Sequence, residues 1–145
     1  YLALRGLRTM GVRMPRHHES GLKIARWLQE RPEVIRVMHP GLPQDPSHEL
    51  WKRDFTGASG LFGFVVESDN PLKAAAMMDG LKFFGMGSSW GGFESLLIPA
   101  SPEKNRTATD WNPGGFTMRI HVGLEDADDL IADLDAGFER YNQAG

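Results

Sequence analysis

Apolar positions recur at helical spacing through the first thirty residues of the chain. Leu4, Leu7, Met10 and Met14 share one stripe over residues 2–14, with Arg5, Arg8 and Arg13 on other faces. Pro15 disfavours helical geometry at Met14, and Leu22, Ala25 and Leu28 then resume a stripe that stops at Arg31-Pro32. The pattern predicts a helix pair, or one long helix kinked at Pro15. Val34 to Met38 is a short, largely β-branched run closed by His39-Pro40-Gly41, which predicts a strand and a turn. Residues 41–47 hold two further prolines and predict a loop. Ser47 is placed to cap a short helix through Arg53, with Glu49 in its first turn. Ser59 to Glu67 alternates weakly around Leu61, Phe62, Phe64, Val65 and Val66 and predicts a strand. Asn70-Pro71 opens a helix over about 72–81.

Phe116 to Val122 has the cleanest alternation. Phe116, Met118, Ile120 and Val122 share one face of a strand, and Thr117, Arg119 and His121 share the other. A helix follows from Asp126 to Tyr141, with Ala127, Leu130, Ile131, Leu134, Phe138 and Tyr141 as its apolar stripe. Acidic residues crowd its first turn and Arg140 lies near its end, which suits the helix dipole at both termini. Between these elements Lys82 to Met86 and Ser95 to Ile98 predict short strands, and Pro99 to Gly115 a long loop of a size that is usually functional or mobile. No internal repeat is present. Strands interleaved with helices predict an α+β fold, a largely antiparallel sheet with helices packed on one face.

One stretch fits no element. Gly85-Met86-Gly87-Ser88-Ser89-Trp90-Gly91-Gly92-Phe93-Glu94-Ser95-Leu96 surrounds a tryptophan with four glycines. Glycines let the backbone turn sharply or approach a ligand closely. Trp90 is either a packing aromatic or an amphipathic ring presented with its N–H donor, and its glycine setting is unusual for packing alone. Arg119 also has two readings. It is a solvent-exposed strand residue, or a guanidinium fork set to receive a carboxylate, which lysine cannot reproduce.

Composition narrows the classes. The 145 residues are 41% hydrophobic and 24% charged, as in an ordinary globular domain. A net charge of −3 argues against nucleic-acid binding, because no basic stripe is available to neutralise phosphates. No apolar run approaches the ~20 residues that span a bilayer, and no signal peptide opens the chain. The absence of cysteine rules out disulfides, thiolate nucleophiles and cysteine-bound metals, and fits a reducing cytoplasm. Tyr1 already lies inside a periodic pattern, so the chain is expected to be a piece of a longer protein. The five histidines include adjacent His17 and His18 and show no metal-ligand spacing, so surface or capping roles are expected. Gly85-Met86-Gly87 is too short for a dinucleotide fingerprint, and the Gly57 to Gly60 turn lacks a phosphate-loop lysine. Neither Ser89 nor Ser95 sits in Gly-x-Ser-x-Gly, which disfavours serine hydrolysis.

The stretch Ser89 to Leu96, followed by Arg119-Ile120-His121-Val122-Gly123-Leu124-Glu125-Asp126, resembles the carboxy-terminal part of the Cys/Met-metabolism pyridoxal-phosphate enzymes. Arg5-Gly6-Leu7-Arg8-Thr9-Met10, His39-Pro40-Gly41-Leu42 and Phe55-Thr56-Gly57 to Gly60 are similar to further stretches in the same order, so the resemblance covers essentially the whole chain. Ser89-Trp90, Trp51-Lys52-Arg53-Asp54-Phe55 and residues 123–130 resemble the β-lyase branch of that family. The γ-lyases and γ-synthases more often carry an aliphatic residue after the serine.

The resemblance implies that residues 1–145 form the small C-terminal domain of a fold-type I enzyme. It also implies elimination across the Cβ–S bond of cystathionine, giving homocysteine, pyruvate and ammonia in methionine biosynthesis. Pyridoxal 5'-phosphate would serve as the electron sink once the α-proton leaves. Arg119 would pair with the substrate α-carboxylate, joined by the Ser89 backbone N–H and the Trp90 indole N–H, with Arg119 facing the cofactor and Met118, Ile120 and Val122 facing the helices. Ser88 departs from the aromatic or acidic residue of relatives, which leaves the preference among sulfur amino acids open. The Schiff-base lysine, the aspartate on the pyridine nitrogen and the tyrosine stacked on the ring would lie amino-terminal to this region. Lys23, Lys52, Lys73, Lys82 and Lys104 match no such motif, so the chain alone is expected to be inactive. A cytoplasmic dimer of dimers is implied for the whole enzyme. A γ-lyase or γ-synthase and a non-catalytic α+β binding module are the alternatives.

Overall fold

Four strands make one sheet in the order β1-β2-β4-β3: β1 Val34–Met38, β2 Leu61–Val66, β3 Leu96–Ala100 and β4 Phe116–His121. Every neighbouring pair is antiparallel. The computed structural model describes residues 1–68 and 70–144. Its helices are α1 Leu2–Leu7, α2 Met10–Gln29, α3 His48–Asp54, α4 Pro71–Asp79 and α5 Ala127–Gln143, with a short 3-10 turn at Pro102–Lys104. The expected α+β class, antiparallel sheet and helical layer are all present.

The two central strands set the core. Phe62 pairs with Ile120 and Phe64 with Met118, so their side chains form rows on one face of the pleat. Ile24 and Leu28 of α2, Met77 of α4, and Leu130, Leu134 and Phe138 of α5 pack on those rows and are fully buried. The opposite row of β4 is covered as well. Thr117 and His121 are buried and Arg119 is half-buried, because loops rather than solvent lie over this face.

Several boundaries differ from the sequence pattern, each for a local reason. The helix break falls at Arg8-Thr9, and α2 continues without interruption past Pro15. Gly6 and Thr9 are weak helix formers. The Gly6 carbonyl is taken by the Thr9 N–H (3.2 Å), the Thr9 hydroxyl (3.2 Å) and Arg13 Nη2 (2.8 Å), which closes α1 there. Ser47 precedes α3 as expected, yet its hydroxyl donates to Asp45 Oδ1 at 2.7 Å rather than capping the helix. Residues 82–86 form no strand beyond a single bridge from Gly85 to Leu96. Asp133 of α5 accepts from the Lys82 N–H (2.9 and 3.0 Å) and the Phe83 N–H (2.8 Å), so those donors cannot enter a ladder. β3 reaches Ala100, taking Pro99 into the sheet, which an edge strand tolerates. α4 ends at Asp79, two residues early, where Arg140 donates to the Ala76 and Met77 carbonyls. Among the described residues no helix is long and apolar enough to cross a membrane.

Candidate functional site

β4 and the glycine-rich loop before β3 meet at Arg119. In register this residue lies between Gly63 of β2 and Ile98 of β3. Its Nη2 donates to the carbonyl oxygens of Gly87 (3.1 Å) and Ser88 (2.8 Å). Among the described residues no carboxylate lies within ion-pair distance of the guanidinium, and its Nε and Nη1 make no hydrogen bond. A half-buried arginine in that state keeps charged donors in hand for a ligand.

Ser89 and Trp90 follow the two bound carbonyls directly and are exposed, Trp90 at 54%. Among the described residues neither the Ser89 backbone N–H nor the Trp90 indole N–H donates to a protein acceptor. Gly91 then adopts φ +98°, a left-handed conformation that strains any other residue. The structure thus brings Arg119 onto the backbone of the segment that carries Ser89 and Trp90.

The loop is tied down beyond the tryptophan by residues the sequence reading passed over. His121 Nε2 lies 3.1 Å from the Gly92 carbonyl, and the Leu124 N–H donates to the Phe93 carbonyl at 2.8 Å. Glu125 accepts from the Ser95 N–H (2.9 Å) and hydroxyl (2.8 Å), while the Ser95 oxygen accepts from the Gly123 N–H at 2.8 Å. Gly123 is obligatory, since a Cβ there would collide with the Phe93 carbonyl oxygen and Glu125. Ser95 is fully buried, and its hydroxyl is committed to this knot, donating to Glu125 and accepting from Gly123, which makes it a structural tie. Sequence spacing holds no signal for these ties, because each joins residues about thirty apart.

Histidine placement differs from expectation. His17, His39 and His121 are buried rather than at the surface. His17 Nδ1 sits 2.8 Å from the Val122 carbonyl, and its ring centroid is 5.4 Å from that of His121. His39 Nδ1 accepts the Gly41 N–H at 3.0 Å, which shapes the turn after β1. Burial pushes the pKa of His121 below the usual imidazole value. His17 and Arg119 add to that shift, while the Gly92 hydrogen bond and Glu125 oppose it. Among the described residues no cluster of three or more potential ligands is arranged to hold a metal ion.

The chain's own residues do not fit the pyridoxal phosphate group itself. Lys23 is paired with Asp128 at 2.6 Å and Lys73 lies over the Tyr141 ring. Among the described residues no lysine hydrogen-bonds to residues 85–95 or to Arg119. A cavity of about 880 Å³ between the start of α2 and α3, walled by His18, Trp51, Phe55 and their neighbours, holds neither lysine nor arginine for a phosphate. What the chain presents is a guanidinium without a carboxylate partner among the described residues, beside the backbone that carries Ser89 and Trp90.

A family model described as "Cys/Met metabolism PLP-dependent enzyme" matches residues 1–139. A cystathionine beta-lyase of Escherichia coli is 53% identical over 97% of this chain and 36% of its own length. A cystathionine gamma-lyase of Mus musculus is 42% identical over 93% of this chain and 35% of its own length. Among solved structures, a cystathionine gamma synthase from Xanthomonas oryzae pv. oryzae in complex with cystathionine has a TM-score of 0.86 at 34% identity, covering 99% of this chain and 38% of that one. The chain therefore spans little more than a third of the length of the relatives it matches.

Proposed function

Because the chain belongs to the family of Cys/Met metabolism PLP-dependent enzymes, we propose that it is the substrate-binding, carboxy-terminal domain of a carbon–sulfur β-lyase. The parent enzyme cleaves cystathionine to homocysteine, pyruvate and ammonia in methionine biosynthesis. The observation that carries the reading is Arg119, a half-buried guanidinium with no carboxylate partner among the described residues, hydrogen-bonded to the loop of Trp90. Its charge receives the substrate α-carboxylate, and the Ser89 backbone N–H and Trp90 indole N–H complete the clamp. Holding the carboxylate at two or three points fixes the rotation of the Cα substituents, so these residues contribute orientation rather than proton transfer. The cofactor and its lysine belong to the remainder of the enzyme, and the assembled form is a dimer of dimers.

The identity to a β-lyase, 53% against 42% for a γ-lyase, supports β-elimination. The second reading, a γ-lyase or γ-synthase, draws on the likeness to a cystathionine gamma synthase. Product analysis of the full-length enzyme on cystathionine separates them. Pyruvate with homocysteine is expected; 2-oxobutyrate with cysteine overturns the β-lyase assignment.

A further inference from the structure

β4 holds the Trp90 loop at two points, and the proposed clamp uses only the first. Arg119 binds the carbonyls of Gly87 and Ser88, just before Ser89. Two residues along the same strand face, His121 reaches the carbonyl of Gly92, two residues after Trp90. The exposed segment from Ser89 to Gly91 therefore spans two anchors on one strand. With Gly91 left-handed and the segment outside any strand or helix, its position depends on those anchors.

A carbonyl oxygen only accepts, so the His121 contact requires the proton on Nε2. Nδ1 is buried and has no hydrogen-bond partner among the described residues. The groups facing the ring are His17 from α2, Arg119 on β4 and Glu125 just after it, while its strand partners Leu61 and Leu96 are apolar. A second proton would rest on Nδ1, buried and unpaired, close to one cation and another imidazole. The arrangement favours a neutral ring with a fixed tautomer.

We propose that His121 is a positioning residue that holds the Trp90 loop in its substrate-binding place through its Nε2–H. The role in turnover rests on the carboxylate-clamp reading above; the role in holding the loop does not. The test uses full-length enzyme labelled with 5-fluorotryptophan, its Trp90 fluorine resonance assigned by Trp90→Phe. His121→Phe keeps a ring and loses the donor, whereas His121→Gln keeps a donor near the Nε2 position. The expected result is a shifted or broadened Trp90 resonance in His121→Phe, with KM for cystathionine raised about three- to tenfold, the scale of one neutral hydrogen bond, and kcat changed less. His121→Gln is expected to restore both. A wild-type Trp90 resonance in His121→Phe, or a His121→Gln variant no better than His121→Phe, overturns the inference. A resonance that shifts and is restored by Gln while KM never changes supports His121 as the loop anchor and overturns the carboxylate clamp instead.

Discussion

Arg119 carries a charge that none of the described carboxylates meets, and a half-buried charge held this way is stabilised by carbonyl dipoles alone. Its replacement by alanine in the full-length enzyme is expected to lower kcat/KM for cystathionine by ~2–5 kcal/mol, the scale for truncating one partner of a buried charge pair. Lysine should recover little, because a point charge cannot make the same fork. An unchanged kcat/KM would remove the carboxylate role. The buried histidines make a separate prediction about pH. Burial, joined by His18 and Arg26, holds the pKa of His39 below its ordinary 6.5, and burial does the same for His121. The unfolded chain then binds more protons than the folded one as pH drops below that value, so stability falls with falling pH. Glu33 adds to the loss at lower pH. Burial alone would raise its pKa, but Asn142, its own backbone N–H and Arg31 together hold it below the ordinary carboxyl value. Denaturant midpoints should decline from pH 7 to 5, and His39→Gln should flatten that decline. A flat profile in the unsubstituted chain would contradict the pKa assignments.

Elements whose apolar residues recur at one period were legible because that period maps directly onto a face. α5 buries Leu130, Leu134, Phe138 and Tyr141 as its stripe requires, and Asp126 caps it by accepting the Asp128 N–H at 2.9 Å. β4 keeps Met118 and Ile120 inside as its alternation requires. The same reasoning misleads at α1, whose stripe is just as periodic but which buries nothing among the described residues. Leu4 and Leu7 there remain 56% and 59% exposed. The two helices should therefore respond oppositely in this chain. Phe138→Ala is expected to cost about 3–5 kcal/mol as a fully buried aromatic, whereas Leu4→Ala should stay within about 0.5 kcal/mol, as surface changes do. Urea denaturation of each variant measures both, and comparable losses would mean that α1 is packed.

At the scale of the molecule, the chain is a four-stranded sheet with a helical layer and an exposed glycine-rich loop around Trp90. It also leaves the large apolar residues Leu2, Leu4, Leu7, Val12, Leu50 and Phe55 exposed. The chain spans about 36% of the length of the Escherichia coli relative it matches. The division of labour proposed above has a direct consequence. The 145-residue chain mixed with pyridoxal 5'-phosphate and passed through gel filtration should retain no cofactor absorbance and produce no pyruvate from cystathionine. A retained band would show that one of its own lysines holds the cofactor.

Periodicity by itself determined the α+β class and most of the elements, while the pairing of Arg119 with the Trp90 loop as a candidate site came from the resemblance of its ordered motifs to a known family. These are properties of local backbone geometry and of residue types in a fixed order. Tertiary structure alone decided that residues 82–86 are held by Asp133 instead of a strand, and that His121, Gly123 and Glu125 secure the loop. Those contacts join residues 28 to 51 positions apart. The loop ties exist because the register that sets Leu96 opposite His121 brings the chain before β3 alongside the end of β4, and no repeat within either segment encodes that meeting.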